Sequence, residues 1–172
     1  MDTVIRQAEV KDASGIAKIH VRTWQCVYRG QLPNSYLDSL SIEERTEGWK
    51  KQLKNPKKGE RSFVIEVNGR VVGWCTAGIS RDEDATKEVG ELYGIYILPN
   101  YMGKGLGSKL MKYALSVLRK DGYKKATLWV LDTNEMTRKW YEFKGWKIEG
   151  KIKVDVRESV ELHETRYMID LP

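Results

Sequence analysis

The spacing of apolar residues divides the first part of the chain into a strand and two helices. Apolar and polar residues alternate in TVIRQA, residues 3–8, which predicts an opening strand. Apolar residues at helical spacing follow through Ile16, Ile19 and Trp24, which predicts a first helix. Ser41 lies just ahead of two glutamates, as in a capping box, and predicts the start of a second helix.

The middle of the chain predicts a hairpin and a further strand. RSFVIEV and RVVGWCTAGI, residues 61–67 and 70–79, are rich in β-branched residues and flank the Asn-Gly pair at 68–69. An Asn-Gly pair favours a two-residue turn because both turn residues then adopt positive φ. ELYGIYIL, residues 91–98, predicts another strand, in which Gly94 marks a bulge or a close approach to the backbone.

The second half predicts helix, strand, helix and two final strands. Apolar residues recur at helical spacing from Leu106 onward, and KATLWVL, residues 125–131, predicts a short strand. Asn134 predicts the cap of another helix, and two strands joined near residues 157–159 complete the chain. With neither an internal repeat nor a linker, we interpret residues 1–172 as one domain.

Composition excludes some classes of protein. A hydrophobic fraction of 41%, with six Trp and nine Tyr, is typical of a folded chain rather than a disordered one. The net charge of +6 comes from basic residues interleaved with 24 acids, so a nucleic-acid partner is not expected. No apolar run approaches the roughly 18 residues of a membrane span, and the first residues do not resemble a secretory signal, so we expect a cytoplasmic protein without a membrane partner.

The few cysteines and histidines do not predict a metal site. Cys26 and Cys75 have neither metal-ligand spacing nor partners, and we interpret both as buried reduced thiols rather than a disulfide. His20 and His163 are the only histidines, which are too few for a histidine-rich site. We therefore expect no metal.

Two groups of residues have alternative interpretations. RDEDATKE, residues 81–88, reads as a solvated charged loop, although its acids could attract a cationic substrate. The aromatic residues Trp24, Tyr28, Tyr36 and Trp49 are interpreted first as core, with ligand contact as the alternative.

A glycine-rich loop follows the strand at 91–98. PNYMGKGLGSKL, residues 99–110, places a strand, a flexible turn and a helix N-terminus in succession, an arrangement that binds anions through unpaired backbone N–H groups. The spacing of Gly103, Gly105 and Gly107 does not match the Walker pattern. The dinucleotide pattern fails as well, because Ser108 stands at the third glycine.

The loop resembles the signature R/Q-x-x-G-x-G/A of the GNAT superfamily of acetyl-coenzyme A dependent N-acetyltransferases. It would fall on residues 102–107, with Met102 where Arg or Gln is usual. A second motif, NEMTRKWYEFKGW, resembles N-x-x-A-x-x-x-Y-E-K-x-G-F of the same family. Asn134 and Tyr141 are seven residues apart in it, almost two helical turns, so both lie on one helix face. The resemblance covers roughly residues 64–148.

The resemblance implies a fold and a cofactor. The fold is α+β, a mixed and mostly antiparallel sheet of about seven strands with about four helices, in which a parallel pair splays apart. The cofactor is acetyl-CoA, and many members of the family are homodimers. The residues implied in cofactor binding are Ile95, Tyr96, Ile97, Met102, Gly103, Lys104, Gly105, Leu106, Gly107, Ser108, Asn134, Arg138 and Tyr141.

Acetyl transfer to an amine suggests roles for individual residues. A carboxylate can take the proton of the amine, and Glu91 is the candidate general base. A phenol is still protonated at neutral pH, so Tyr141 is the candidate acid for the departing thiolate. Trp24, Tyr28 and Tyr93 are candidate substrate contacts.

The predicted function is acetyl transfer to a primary amine of a small metabolite, directly and in a ternary complex. Two alternatives remain at this point. One is a non-catalytic acyl-CoA binding or sensing module on the same fold, which the unusual Met102 motivates. The other is acetylation of a protein N-terminus or lysine.

Overall fold

A computed structural model describes residues 1–157 and 159–172. The strands are β1 (Thr3–Gln7), β2 (Arg61–Val67), β3 (Arg70–Ile79), β4 (Val89–Ile97), β5 (Lys125–Leu131), β6 (Lys147–Arg157) and β7 (Val160–Asp170). The α-helices are α1 (Ala13–Val27), α2 (Asn34–Ser39), α3 (Ile42–Lys54), α4 (Leu106–Lys120) and α5 (Glu135–Phe143). Short 3₁₀ turns occur at Val10–Asp12 and Pro99–Tyr101.

The strands form a single sheet in the order β1-β2-β3-β4-β5-β7-β6. Every neighbouring pair is antiparallel except β4 and β5, which are parallel. The predicted hairpin joins β2 to β3, and its turn residues have the positive φ that an Asn-Gly turn requires, 50° at Asn68 and 77° at Gly69. The α+β prediction with a central parallel pair is confirmed.

The parallel pair is joined over only part of its length. Residues 89–91 of β4 pair with residues 125–127 of β5, and beyond them the two strands are not paired. On its other edge β4 carries a bulge, because Thr76 lies opposite Gly94 whereas Ala77 lies opposite Leu92. Tyr93 is therefore the extra residue of the bulge. The separation of β4 and β5 opens a cleft in the middle of the sheet.

Helices cover both faces of the sheet. The apolar stripe predicted for α4 packs on one face, where Leu106, Leu110, Met111, Ala114 and Leu118 are buried. On the opposite face α1 and α3 bury Ile16, Ile19 and Trp49 against Val64 and Trp74. Both helices thus lie over the side of the sheet that carries Trp74 and Tyr96.

Some predictions differ from the structure. The six-residue helix α2 was not predicted. Cys75 is buried, but Cys26 is exposed because it lies on the outward face of α1, one turn from exposed Arg22. The turn predicted at 157–159 includes Glu158, which lies outside the described residues. No helix in residues 1–157 or 159–172 is long and apolar enough to cross a membrane.

Candidate active site

The cleft between β4 and β5 brings together most of the predicted site residues. It has a volume of about 960 Å³ and extends from Met102, just ahead of the loop glycines, to the α1 and α3 face of the sheet; residues 103–108 do not line it. The predicted residues that line it are Trp24, Tyr28, Glu91, Tyr93, Ile95, Tyr96, Ile97, Met102, Asn134 and Tyr141.

The glycine loop has the geometry of an anion site. Gly103 and Gly105 adopt φ of 73° and 77°, and nothing lies within 4 Å of the position that a Cβ would take at either residue. Within the described chain, none of the amides from Gly103 to Ser108 donates a hydrogen bond, and Gly105 is the N-cap of α4. Unpartnered N–H groups at a helix N-terminus attract a phosphate. The side chain of Leu106 is buried, so only its amide is available.

Three further side chains of the predicted site differ in whether they line the cleft. Met102 is 39% exposed at the rim of the cleft. Lys104 places its Nζ 5.1 Å from the centre of the Tyr101 ring and lines a separate hollow beside α1. Arg138 lies outside the residues that line the cleft, because its guanidinium donates to Tyr167 Oη at 3.1 Å and to the Asp132 carbonyl at 2.7 Å.

The edge of β4 that faces the cleft has free backbone groups. The N–H of Leu98 donates to the carbonyl of Val72 on β3 at 2.8 Å. Backbone groups of successive strand residues point to opposite edges, so Tyr96 also faces β3, whereas Ile95 and Ile97 face the cleft. Thr23 Oγ1 donates to the Ile97 carbonyl at 3.4 Å. The strand can therefore pair with an amide-containing ligand.

Helix α5 places Asn134 and Tyr141 in the cleft. Asn134 caps the helix as predicted, since its side-chain oxygen accepts from the N–H of Thr137 at 3.4 Å. The Tyr141 ring packs near Trp140 and Trp146 and is 6% exposed. Burial, followed by the neighbouring Tyr96 and Cys75, raises the pKa of Tyr141 above its usual value. Its hydroxyl has no hydrogen-bond partner in the described part of the chain.

Glu91 is held in one orientation by Arg81. The carboxylate is 1% exposed and accepts from the Arg81 backbone N–H at 2.8 Å and from its Nη2 at 2.6 Å. Burial lowers the pKa of Arg81 and the Glu91 carboxylate raises it, which leaves the pKa above its ordinary value. The guanidinium also lies 4.0 Å from the centre of the Tyr93 ring. A charged Arg81 thus fixes Glu91 on the floor of the cleft.

Two acids of the charged loop at residues 81–88 are held by Arg166. Arg166 on β7, whose side chain is 5% exposed, pairs with Asp82 at 3.1 Å and with Asp84 at 2.7 Å. It also pairs with Glu149 on β6. Arg166, followed by Lys151, lowers the pKa of Asp84. Asp82 and Asp84 are therefore held by Arg166, whereas Glu83, Lys87 and Glu88 are exposed, as expected of a charged surface loop.

Several residues of the site were not identified from the sequence. Arg81 and Arg166 each pair with acidic residues that the sheet topology brings close. No local sequence pattern indicates these pairings. His20 and Trp74 line the cleft beside Trp24. The spacing of His20 and Trp24, four residues on one helix face, could have indicated that the two side chains lie together.

The donor groups fit the phosphates and amides of coenzyme A. The amides of the glycine loop suit a phosphate, and the free edge of β4 suits an extended amide chain. Among the described residues, no group of three or more His, Cys, Asp or Glu side chains could hold a metal ion.

Comparisons with known sequences point to one family. The profile of the acetyltransferase (GNAT) family matches residues 20–146. An uncharacterized N-acetyltransferase of Bacillus subtilis, YuaI, is 33% identical over 131 residues, which are 76% of this chain and 72% of that protein. Spermidine N(1)-acetyltransferase of Thermoplasma acidophilum is 22% identical over 149 residues, covering 87% of this chain and 91% of that protein.

A solved structure shares the fold. The PaiA N-acetyltransferase of Thermoplasma acidophilum, determined in complex with coenzyme A, matches with a TM-score of 0.79 and 19% identity over 99% of each chain. The residues matched by the family profile include most of the cleft lining, the glycine loop and α5. The chain therefore belongs to the GNAT family of acetyltransferases.

Proposed function

We propose that this protein transfers the acetyl group of acetyl-CoA to a primary amine of a small metabolite, directly and in a ternary complex. The observation that supports this most is the presence of a fixed carboxylate, Glu91, and a free buried phenol, Tyr141, in the same cleft. Acetyl-CoA supplies the acetyl thioester. The glycine loop and the open edge of β4 would bind it.

Glu91 acts as the general base. An ammonium group cannot attack a carbonyl, so a carboxylate must take its proton, directly or through one water. Arg81 donates three hydrogen bonds to the carboxylate and prevents it from rotating, which leaves one of its about four acceptor positions for the amine or a bridging water. The side chain is thus positioned before substrate arrives.

Tyr141 acts as the general acid. The raised pKa keeps its phenol protonated at neutral pH, and the hydroxyl has no partner among the described residues that would compete for its proton. In the transfer, the amine nitrogen bonds to the acetyl carbon as the C–S bond breaks. The ammonium would first give one proton to Glu91, which releases it to solvent; the second proton leaves the nitrogen as the C–N bond forms and would replace the proton that Tyr141 gives to the sulfur, so that the phenol is regenerated.

The backbone of β4 stabilises the acetyl oxygen. The N–H of Ile95 faces the cleft next to the bulge at Tyr93, where it can donate to the oxygen as negative charge develops.

Direct transfer is favoured because neither cysteine suits a covalent intermediate. Burial raises the pKa of Cys75, which keeps its thiol protonated, and Cys26 is not among the residues that line the cleft.

Replacing Tyr141 with Phe tests the proposal. We expect Tyr141→Phe to lower kcat about 100-fold, because only the acid is lost, and to leave acetyl-CoA affinity within about twofold. Turnover is measured as thiol release with a panel of amines, and affinity by calorimetry. Tyr113→Phe, at an exposed position of α4, is the control and should behave as wild type.

The same experiment distinguishes the enzyme from a sensing module. A sensing module would bind acetyl-CoA in both forms and release no thiol with any amine. Unchanged turnover in Tyr141→Phe would assign the acid role to another group.

We also infer a homodimer. The edge strand β6 is exposed along most of its length, and Ile148, Ile152 and Val156 are 54%, 79% and 62% exposed on it. These apolar side chains alternate with charged residues along β6, and an edge strand with unpaired backbone groups can pair with the same strand of a second copy. Light scattering on the purified protein should give twice the chain mass, and Ile152→Lys should reduce it to a monomer. A monomeric wild type would contradict the inference.

A further inference from the structure

A second cavity lies on the far side of α1 from the cleft. Its volume is about 870 Å³, and it is lined by α1, by Arg70 at the start of β3, and by residues 98–101 and Lys104 of the loop that follows β4. Lys18 and Arg22 of α1 also line it, and no Asp or Glu is among its described lining residues. We call this cavity the basic hollow, after its four cations.

The four cations have no counter-charge in the protein. Lys18, Arg22, Arg70 and Lys104 form no ion pair within residues 1–157 and 159–172. Arg166, in contrast, pairs with three acids. Concave surfaces that carry one sign of charge raise the local concentration of the opposite ion. The basic hollow should therefore attract anions.

The sequence concentrates positive charge in the segments that meet at the hollow. Residues 13–37, 67–80 and 92–120 contain no Asp or Glu, and they supply every described residue that lines it. These segments hold nine of the 30 basic residues, so the rest of the chain has 21 bases against 24 acids. The net positive charge of the protein thus comes from this region, although bases and acids are interleaved elsewhere.

Helix α1 separates the basic hollow from the cleft. Lys18, Arg22 and Cys26 recur every four residues and line the hollow, whereas Trp24 and Val27 line the cleft. At about 100° per residue, these two sets lie on opposite sides of the helix. No described residue lines both cavities. An anion in the hollow would therefore bind at a place other than the cleft.

The cations suit a compact ligand with more than one phosphate group. The guanidinium groups of Arg22 and Arg70 are planar forks that bind phosphate through two hydrogen bonds, and the two lysines add point charges. Because the cations come from three separate elements, a ligand that contacts all of them must be larger than one phosphate ion. A nucleic-acid strand would favour an extended basic stripe over a hollow.

We propose that the basic hollow binds a compact polyanion with two or more phosphate groups, at a site separate from the cleft. Arg22 and Arg70 hold the phosphates, and Lys18 and Lys104 balance the remaining charge. The inference goes beyond the proposed reaction and does not depend on which amine is acetylated.

Pyrophosphate is the probe for this site. Acetyl-CoA is present at saturation, so that the glycine loop and the cleft are already occupied, and calorimetry should still detect pyrophosphate binding to the wild type. The double variant Arg22→Gln with Arg70→Gln should bind pyrophosphate at least about tenfold more weakly, because two charge-assisted contacts are lost. The matched control is Lys112→Gln with Arg119→Gln, two exposed positions of α4 that do not line the hollow, and it should bind as wild type does.

Cys26 gives a second measurement that needs no variant. It is exposed and lines the hollow, whereas Cys75 is buried, so N-ethylmaleimide should alkylate Cys26 alone in the folded protein. At about ten times its Kd, pyrophosphate should slow this alkylation about tenfold by mass action, with acetyl-CoA present throughout. Acetyl-CoA by itself should leave the rate unchanged. This measurement remains valid if the double variant does not fold.

Several results would overturn the inference. Pyrophosphate binding that disappears when acetyl-CoA is present would assign the phosphates to the glycine loop, and an unchanged alkylation rate would place the ligand outside the hollow. Weaker acetyl-CoA binding in the double variant of Arg22 and Arg70 would make the hollow a part of the cofactor site. If citrate binds as tightly as pyrophosphate, charge alone decides and the phosphate assignment is wrong. If single-stranded DNA binds through the same arginines and pyrophosphate does not, the hollow belongs to a nucleic-acid surface.

Discussion

Replacing Arg166 with Met should destabilise the protein far more than the loss of an ordinary surface ion pair. Arg166 is the shared partner of Asp82, Asp84 and Glu149, and its side chain is 5% exposed. Removing one partner of a buried ion pair costs about 3–5 kcal/mol, because the opposite charges are left uncompensated. The partial exposure of Asp84 and Glu149, 43% and 31%, places the expected loss at the lower end, about 3 kcal/mol.

The loss should appear as a large drop in Tm. For a chain of 172 residues, each kcal/mol lowers Tm by about 2–4 °C, so Arg166→Met should unfold about 6–12 °C earlier than wild type. Thermal unfolding followed by circular dichroism measures the drop, and urea unfolding measures the free energy directly. Met keeps most of the apolar stem of Arg, so the variant chiefly removes charge.

Arg29 provides the control. It pairs with one carboxylate, Asp38, and the two side chains are 42% and 66% exposed. Arg29→Met should lose at most about 1 kcal/mol, or about 2–4 °C. Equal losses in the two variants would refute the reasoning, because burial of Arg166 would then contribute nothing beyond the pairing itself.

Three further predictions concern the cleft. Burial, with Arg45 and Arg157, lowers the pKa of His20 to about 3, so below the unfolded value of about 6.5 the unfolded chain binds a proton that the folded chain does not. The His20 contribution to the free energy of unfolding should be fully present above pH 6.5 and should fall by about 1.4 kcal/mol per pH unit as pH drops toward 3. Urea unfolding at pH 7 and pH 5 measures this slope. The slope should disappear in His20→Phe and persist in the control His163→Gln. Met102→Arg should tighten acetyl-CoA binding about fivefold, as measured by calorimetry, with little change in kcat. The control Met136→Arg should leave the affinity unchanged. If Met102→Arg and wild type bind acetyl-CoA equally well, the loop amides suffice. Gly94→Ala would place a Cβ 2.9 Å from a carbon of the Tyr96 ring. The clash should lower the free energy of chemical unfolding by about 1–3 kcal/mol. A variant as stable as wild type would show that the ring moves aside.

The parts of the molecule that depend on short stretches of sequence were predictable. The glycine loop and the helix that carries Asn134 and Tyr141 are defined by residues within about ten positions of each other, and the structure has both. The pairing of Arg166 with Asp84 joins residues 82 positions apart, so no local pattern indicates it. Cys26 shows the same limit, since its residue type favours burial and only the packing of α1 decides which face is covered.

The partial pairing of β4 and β5 leaves part of the sheet without a neighbouring strand. Three residue pairs, Val89–Lys125, Gly90–Ala126 and Glu91–Thr127, are the only ladder contacts between the two halves of the sheet in the described chain. Beyond them, Ile95 and Ile97 present backbone groups to a gap where a neighbouring strand would normally lie. A ligand with backbone-like amides that binds there would supply the missing rungs of the ladder. The cleft is thus a stretch of the sheet that lacks a strand, and a ligand bound there would supply the missing backbone hydrogen bonds in addition to reacting in the cleft.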